Sequence, residues 1–167
     1  VEYKESFLTP NSLTIIMEYC EVGDIAYHIK RKQSKNETFS EQEIFHWMVQ
    51  ICMALEYVHG RKVIHRDIKT QNVFLTGCNT VKIGDFGISK VLESTTSAAM
   101  TVVGTPYYMS PEFVAVAIDV ESDIWALGII LYELCTLNQP FQADNLLGLV
   151  FKIVQDEPAP IPTTYSA

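Results

Sequence analysis

Four side chains able to bind or transfer charge lie in a short part of the chain. Asp67, Lys69 and Asn72 fall within six residues, and Asp85 follows thirteen residues later. The carboxamide oxygen of Asn72 and the carboxylate of Asp85 are hard oxygen ligands of the kind that Mg²⁺ prefers. A carboxylate such as Asp67 can accept a proton from a hydroxyl, and Lys69 supplies a positive charge. Chemistry on a phosphate group with a bound cation would use these residue types.

These side chains belong to two longer motifs that carry a family resemblance. The motifs are His65-Arg66-Asp67-Ile68-Lys69-Thr70-Gln71-Asn72 and Asp85-Phe86-Gly87. They resemble the catalytic loop and the magnesium-binding loop of protein kinases, with an activation segment that ends at Ser110-Pro111-Glu112. Either motif alone arises often by chance. With this order and spacing, we put chance at well under about 1%.

The protein-kinase resemblance implies a role for each of the four side chains. Asp67 would orient the acceptor hydroxyl and accept its proton, and Lys69 would place a positive charge at the γ-phosphate. Asn72 and Asp85 would hold the Mg²⁺ that accompanies ATP. A lysine two residues after Asp67 resembles the serine/threonine branch of the family. The implied activity is transfer of the γ-phosphoryl group of ATP to serine and threonine hydroxyls of protein substrates, with ATP and Mg²⁺ as cofactors.

Within that family, the sequence resembles the NIMA-related kinases over nearly the entire chain. The stretches that carry this likeness are Met17-Glu18-Tyr19-Cys20-Glu21, Ile68-Lys-Thr-Gln-Asn72, Thr101-Val-Val-Gly-Thr-Pro-Tyr-Tyr-Met-Ser-Pro-Glu112 and Ser122-Asp-Ile-Trp-Ala-Leu-Gly128. The resemblance also implies a nucleotide site. It makes Met17 the gatekeeper, Glu18 and Cys20 hinge residues whose backbones bind adenine, Asp24 a neighbour of the ribose and Phe74 the floor beneath the adenine ring.

The same resemblance implies structural roles around the catalytic loop. His65 and Phe86 would pack in the spine that links the two lobes, and Asp123 would accept backbone N–H groups of the catalytic loop. In kinases the carboxylate at Glu112 pairs with an arginine of the terminal helices. We therefore expect Glu112 to lack an ion-pair partner within these 167 residues.

Two threonines of the 101–112 stretch are candidates for control of activity. Thr101 lies at the site where NIMA-related kinases resemble one another in carrying an activating phosphate, and Arg66 is its candidate partner. Thr105 would help to position Asp67 and the acceptor. The alternative is that Thr101 is an ordinary loop threonine.

The hydrophobic pattern predicts the elements that must position these residues. Ser40 and Glu43 form a capping box, and apolar residues at three- and four-residue steps predict a helix that ends near Gly60. Short β-branched runs predict hairpins of 3–8 with 13–17 and of 73–75 with 81–83. Residues 122–136 are apolar nearly all round, which predicts a helix buried on all sides. A helix over 146–154 would be capped by Asp144.

We therefore expect an α+β fold like that of a protein kinase, made mostly of the helical C-terminal lobe. Residues 1–19 would form the end of the N-terminal lobe and the start of the hinge, and residues 20–167 the C-terminal lobe, truncated before its terminal helices. The 167 residues contain no Gly-rich phosphate loop and no Val-Ala-Ile-Lys strand. We expect a piece of a longer product, inactive when isolated.

Composition argues against several other classes of protein. Twelve basic and 20 acidic residues give a formal charge of −8, which disfavours partners such as nucleic acids and anionic membranes. The longest apolar run, Ile124 to Tyr132, is far shorter than the roughly 20 residues of a membrane span. The four cysteines lack zinc-site spacing and suit a reducing compartment. We expect a cytoplasmic protein, associated with the cytoskeleton or centrosome by the NIMA-related resemblance, with His28, His46 and His59 on the surface or at helix ends.

Two alternatives stay open. A pseudokinase or scaffold would keep the fold and bind partners without phosphoryl transfer, although the intact Asp67, Lys69, Asn72 and Asp85 argue against it. A regulatory module would bind ATP without turnover. An upstream Gly-rich loop and strand lysine would separate an enzyme from a scaffold.

Overall fold

A computed structural model describes residues 1–85, 106–111 and 120–166. The strands in this part of the chain are β1 (Tyr3–Thr9), β2 (Ser12–Met17), β3 (Gly23–Asp24), β4 (Val73–Leu75) and β5 (Val81–Ile83). The α-helices are α1 (Ile25–Lys35), α2 (Glu41–His59), α3 (Val120–Thr136) and α4 (Leu146–Gln155). Two 3₁₀ turns cover Thr70–Asn72 and Pro106–Tyr108. The α+β class expected from the sequence is confirmed.

The first hairpin forms where the β-branched run predicts it. Strands β1 and β2 pair antiparallel, with Tyr3 opposite Met17 and Thr9 opposite Ser12. The Thr9 hydroxyl donates to the backbone carbonyl of Ser12 at 3.1 Å, which closes the turn between them. This two-stranded sheet is separate from the other sheet and leads from Met17 into the cleft described below.

The second sheet brings three distant parts of the chain together. Its strand order is β3-β4-β5, with Gly23 opposite Leu75 and Val73 opposite Ile83. The predicted hairpin of β4 and β5 is confirmed. Strand β3 is only two residues long, too short for a sequence pattern, yet it fixes the start of α1 beside β4.

Side-chain caps define the starts of the first two helices. The Asp24 carboxylate accepts the Tyr27 N–H and begins α1, a helix that the hydrophobic pattern did not predict because it buries only Ile25 and Ile29. The predicted capping box of α2 is present, since the Ser40 hydroxyl and the Glu43 side chain each accept from the backbone of the other.

The last two helices differ in detail from the sequence prediction. Helix α3 is largely buried, but Ile124 in its first turns is 51% exposed, so the predicted burial on all sides is wrong there. The cap of α4 is Asn145 and not Asp144, because Asn145 directly precedes the helix and its Oδ1 accepts the Gly148 N–H at 2.8 Å. Leu149 and Ile153 of α4 are buried.

The main core lies between α1, α2, α3 and the second sheet. Its best-buried side chains include Ile25, Ile51, Leu55, Val73 and Leu134. This packing holds the end of α2 against α3, and the segment between α2 and β4 is the catalytic loop predicted from the sequence. None of the helices described above is both long and apolar enough to cross a membrane.

Candidate active site

The catalytic loop is anchored to α3 by one buried carboxylate. Asp123, only 1% exposed, accepts the backbone N–H of His65 on Oδ2 and that of Arg66 on Oδ1, both at 2.8 Å. The His59 imidazole also donates to Oδ2 at 2.8 Å. Three donors thus satisfy a carboxylate that would otherwise be costly to bury.

Arg66 adopts a left-handed backbone conformation with φ of 70°. Non-glycine residues rarely adopt this conformation, and such strain persists only where surrounding contacts determine it. Here the contact is the bond from the Arg66 N–H to Asp123. The sharp turn sets the direction in which the chain leaves the anchor toward Asp67.

His65 ties the catalytic loop to the end of β5. Its Nε2 donates to the carbonyl of Gly84 at 2.9 Å, and its Nδ1 accepts the Asp67 N–H at 3.3 Å. These two bonds require a neutral ring protonated at Nε2. Burial lowers the pKa of His65, which favours the same neutral form. His65 thus lies between the residue preceding Asp85 and the backbone of Asp67.

The Asp67 carboxylate is held by two neighbours of its own loop. Lys69 Nζ lies 2.7 and 2.9 Å from its two oxygens, and Asn72 Nδ2 donates to Oδ2 at 2.9 Å. Asn72 Nδ2 also donates to the Asp67 carbonyl at 2.8 Å. The structure therefore brings together three of the four side chains singled out in the sequence. Asp67 remains exposed and can be reached by an acceptor.

Asn72 and Asp85 offer a donor set that fits a magnesium ion. Because the Asn72 amide nitrogen is used by Asp67, its Oδ1 is left for another ligand, and no described residue donates to it. The Gly84 N–H donates to the Asn72 carbonyl at 2.9 Å, which brings the exposed Asp85 close to Asn72. A carboxamide oxygen, a carboxylate and phosphate oxygens would complete a hard-oxygen site.

An open cleft of about 470 Å³ lies beside this loop. Its lining includes every residue predicted to bind the nucleotide: Met17, Glu18, Cys20, Asp24 and Phe74. Gly84 and Asp85 line it too, so the cleft reaches the candidate metal ligands. Its volume lies within the range of small-molecule pockets.

The backbone of residues 18–20 is compatible with adenine binding. The Glu18 N–H donates to the Glu2 carbonyl at 2.8 Å, while no described residue takes the N–H of Cys20. The Glu18 carboxylate accepts from the Glu2 backbone and from Lys82, and the first of these bonds does most to lower its pKa. Asp24 uses one carboxylate oxygen to cap α1, and its other oxygen accepts no hydrogen bond from the described residues.

Gly84 and Phe74 are in close contact at the floor of the cleft. A Cβ added at Gly84 would lie 2.8 Å from Cε2 of the Phe74 ring, closer than real side chains approach. The absence of a side chain at Gly84 therefore leaves room for the Phe74 ring beside it. The structure places the predicted floor residue in the lining of the cleft.

A buried polar cluster near the loop was not predicted from the sequence. The Tyr108 hydroxyl donates to Glu133 Oε2 at 2.5 Å and lies 2.9 Å from the Thr70 hydroxyl. Burial raises the pKa of Glu133 to about 7 and also raises that of Tyr108. Neither periodicity nor a short motif marks these residues, and Glu133 lies in the apolar second half of α3. His59 lies at the end of α2 as expected, but its bond to Asp123 was not predicted.

Some predicted site residues lie outside the described part of the chain. They are Phe86, Thr101, Thr105 and Glu112. The structural and regulatory roles given to them above stay predictions. Within the described part, no group of three or more histidine, cysteine, aspartate or glutamate side chains could hold a metal by itself. A cation bound by Asn72 and Asp85 would therefore need further oxygen ligands, such as the phosphate oxygens of a bound nucleotide.

Comparisons with known proteins find related sequences along nearly the whole chain. A model of the protein kinase domain matches residues 1–164. Over 99% of its length, the chain is 52% identical to serine/threonine-protein kinase Nek1 of Mus musculus and covers 14% of that protein. It is 51% identical to probable serine/threonine-protein kinase nek3 of Dictyostelium discoideum, of which it covers 15%. It is 48% identical to serine/threonine-protein kinase Nek3 of Mus musculus, of which it covers 32%. The chain thus spans at most about a third of these relatives.

Proposed function

Because this chain belongs to the protein kinase family, we propose that the full-length protein transfers the γ-phosphoryl group of MgATP to serine or threonine hydroxyls of protein substrates. The observation that supports this most directly is the Asp67 carboxylate, exposed and held by Lys69 and Asn72 next to a cleft that Asp85 lines. The similarity to serine/threonine kinases supports the choice of acceptor.

The residues divide the work of phosphoryl transfer. Phosphoryl transfer requires little covalent chemistry from a protein, so positioning and charge neutralisation dominate. Asp67 orients the acceptor hydroxyl and takes its proton as the oxygen forms a bond to the γ-phosphorus, while the bond from that phosphorus to the bridging oxygen breaks and ADP leaves. Lys69 supplies positive charge beside the transferred group. Asn72 Oδ1 and the Asp85 carboxylate would hold Mg²⁺, which would offset charge on the phosphate oxygens.

The cleft residues bind the nucleotide. The backbones of Glu18 and Cys20 bind the adenine, and Met17 borders it. Phe74 lies beneath the ring, and Asp24 approaches the ribose with the oxygen that does not cap α1. In this division, residues 1–19 end the N-terminal lobe and begin the hinge, and residues 20–167 form the C-terminal lobe. The separation of the two sheets supports such a boundary.

The decisive experiment is Asp67→Asn in the full-length protein, assayed with a peptide substrate and MgATP. We expect kcat to fall by about 10² to 10⁴, the usual contribution of a positioned proton acceptor, with nucleotide binding nearly unchanged. Asp156→Asn makes the same chemical change at the exposed end of α4 and should leave kcat at the wild-type value. Equal phosphorylation by the Asp67→Asn and Asp156→Asn variants would exclude this assignment.

A pseudokinase, scaffold or ATP-binding regulatory module would behave differently in the same assay. Such a protein would bind partners or nucleotide and release no phosphorylated peptide, and Asp67→Asn would change nothing. The bonds that Lys69 and Asn72 make to the Asp67 carboxylate favour an enzyme over these alternatives. Residues 1–167 by themselves should be inactive, since they contain neither a Gly-rich phosphate loop nor the strand lysine. Peptide phosphorylation by the isolated chain would contradict that part of the proposal.

From the resemblance to the NIMA-related kinases, we propose a cellular role in cell-cycle, centrosome or cilium regulation. On the same ground, we propose a cytoplasmic protein associated with the cytoskeleton or centrosome. Imaging of the tagged full-length protein beside a centrosome marker tests this location. A distribution that never overlaps the marker during the cell cycle would count against it.

A further inference from the structure

One side of helix α1 carries a row of exposed basic side chains. Residues that are three and four positions apart lie on the same side of a helix. Five exposed residues share one side of α1 by this rule: Tyr27, Lys30, Arg31, Ser34 and Lys35. Ile25 and Ile29 are buried on the opposite side. We call the five exposed residues the α1 basic face.

Basic residues are concentrated here in a chain that is acidic overall. Residues 30–35 hold four of the 12 basic residues, although the formal charge of the chain is −8. Between Asp24 and Glu41 the sequence contains one acidic residue, Glu37. The α1 basic face is therefore a local positive region on a negative protein. Such regions attract and orient partners of opposite charge.

The basic side chains of this face have no acidic partner in the part of the chain that the structure describes. Lys32, on a neighbouring side of α1, lies 3.5 Å from the Glu37 carboxylate. Lys30, Arg31 and Lys35 form no ion pair with any described residue. Their charges are thus available to an acidic ligand.

Helix stability accounts for only part of this charge. Cations in the last turn of a helix offset its dipole, and that turn contains Lys32 and Lys35 but neither Lys30 nor Arg31. The helix end is already capped by the backbone N–H of the left-handed Asn36. Arg31 and Lys35 are four residues apart, a spacing at which like charges destabilise a helix. A partner explains the arrangement better than folding does.

The α1 basic face begins at the nucleotide cleft. Tyr27, its first residue, belongs to the lining of the cleft and donates its backbone N–H to the Asp24 cap. From its start, α1 extends for 11 residues, about 16 Å at the rise of an α-helix. A protein segment bound along this face would therefore have one end near the cleft, where the acceptor of a protein substrate must lie.

We propose that the α1 basic face is a docking surface for acidic segments of the protein substrates, whose glutamate and aspartate side chains pair with Lys30, Arg31 and Lys35. This inference rests on the proposed kinase function and adds a substrate class to it. The acidic segment lies outside the phosphorylated sequence. It raises the concentration of the acceptor at the cleft, so it lowers KM and leaves kcat unchanged.

The first test uses the full-length protein and three forms of one acceptor peptide. A Gly-Ser linker of about ten residues, which spans roughly 16–19 Å, joins the acceptor to six glutamates, six glutamines or six lysines, in either order. We expect the glutamate tail to lower KM about 5- to 10-fold relative to the glutamine tail, with kcat within about twofold. Equal KM values for these two tails, or an equal benefit from the lysine tail, would overturn the proposal.

Two matched double variants assign the effect to α1. Lys30→Gln with Arg31→Gln removes one lysine and one arginine from the α1 basic face. Arg61→Gln with Lys62→Gln removes the same two residue types from an exposed segment after α2. The first variant should lose the benefit of the glutamate tail and keep the wild-type kcat and KM for the glutamine-tailed peptide. The second should keep the benefit, and an equal loss in both would overturn the proposal.

Direct binding separates the docking surface from the kinase function. Fluorescence polarisation of the labelled glutamate-tailed peptide, without ATP, should show binding that weakens about 5- to 10-fold in the Lys30→Gln, Arg31→Gln variant and decreases as salt rises. Phosphorylation of the acceptor without binding of the tail would overturn the docking surface alone. Binding of the tail without phosphorylation of any peptide would refute the kinase function, and the substrate role with it.

Other polyanions complete the test. Single-stranded oligothymidylate and phosphatidylserine vesicles are measured with the same variants, since both could pair with exposed lysine and arginine. We expect neither to bind as tightly as the glutamate tail. If either binds through Lys30 and Arg31 while the glutamate tail does not, the α1 basic face serves another class of partner and the proposal is overturned.

Discussion

The imidazole of His59 donates to the Asp123 carboxylate across a distance of 2.8 Å. This bond joins the last residue of α2 to α3, at the carboxylate that also holds the backbone of the catalytic loop. His59 therefore stabilises the anchor of the catalytic loop without lining the cleft. The end of α2 is thus linked to the catalytic loop through the side chain of His59 and the Asp123 carboxylate.

Replacing His59 by leucine should destabilise the protein. His59→Leu removes one of three donors to a carboxylate that is 1% exposed, and a lost hydrogen bond to a buried charged group costs about 1.5–3 kcal/mol. Urea unfolding measures this loss directly. The control is His46→Leu on the same helix, an exposed position whose imidazole contacts the Asn79 carbonyl. A larger loss in the control would show that the His59 bond contributes little.

Much of this architecture could be predicted because its signals are local. The Ser40 capping box, the apolar spacing of α2 and the β-branched runs of both hairpins each depend on a few consecutive residues. The predicted elements are therefore present within one or two residues of their expected ends. Helix α1 was not predicted, since only Ile25 and Ile29 are buried and most of the rest of its sequence is polar.

Contacts between residues far apart in the sequence account for the features that sequence patterns did not predict. The bonds of His59 to Asp123 and of Tyr108 to Glu133 join residues 64 and 25 positions apart. A histidine at a helix end and a glutamate in the apolar part of a helix are found in many proteins. Neither residue by itself indicates which distant residue it contacts. Family resemblance identified Asp123 as an acceptor, but nothing local indicated that His59 would share it.

Gly84→Ala should weaken nucleotide binding. The added Cβ would lie 2.8 Å from the Phe74 ring and 3.1 Å from a Val1 methyl group, so the floor of the cleft must shift. Isothermal titration with MgATP or MgADP measures the change, and we expect affinity to fall about 10-fold or more, the scale of a steric cost above about 1.4 kcal/mol.

Gly77→Ala provides the matched control for Gly84→Ala. Its Cβ would meet Glu21 Oε1 at 2.6 Å, but this atom is the end of a flexible side chain that can rotate away. The cost is the bond from the Gly77 N–H to Glu21, about 1 kcal/mol of stability, with nucleotide affinity retained. If the two variants bind nucleotide equally, the contact of Gly84 with Phe74 does not shape the site.

The buried Glu133 should make stability decrease as pH rises through the neutral range. Its pKa is raised by burial from 4.5 to about 7, so between these values the folded protein binds a proton that the unfolded chain has released. Stability from this group is complete below about pH 4.5 and is lost as pH approaches 7. The pKa change corresponds to a loss of up to about 3 kcal/mol.

Urea unfolding of the wild type and Glu133→Gln at several pH values isolates that effect. The wild type should lose stability relative to Glu133→Gln between pH 5 and about 7, since glutamine does not titrate. The difference between the two proteins removes the contribution of His65, whose lowered pKa acts in the opposite direction. Glu56→Gln, at an exposed position on α2, should run parallel to the wild type. A constant difference for Glu133→Gln would contradict the raised pKa.

Phosphorylation of Thr101 should switch the enzyme on through Arg66. The Arg66 side chain is exposed, forms no ion pair with the described residues and stands directly before Asp67 in the sequence. Its backbone is held in place by Asp123, so a phosphate paired with its guanidinium would be tied to the catalytic loop. A phosphate adds about −1.5 to −2 charges and strong acceptor oxygens, which bind arginine well.

In the full-length protein, Thr101→Ala should depress peptide phosphorylation strongly, while Ser97→Ala should change it little. Arg66→Lys, which keeps a charge but loses the paired donors of arginine, should give an intermediate loss that is absent in a Thr101→Ala background. Wild-type turnover by Thr101→Ala after incubation with MgATP would show that activity is controlled in another way.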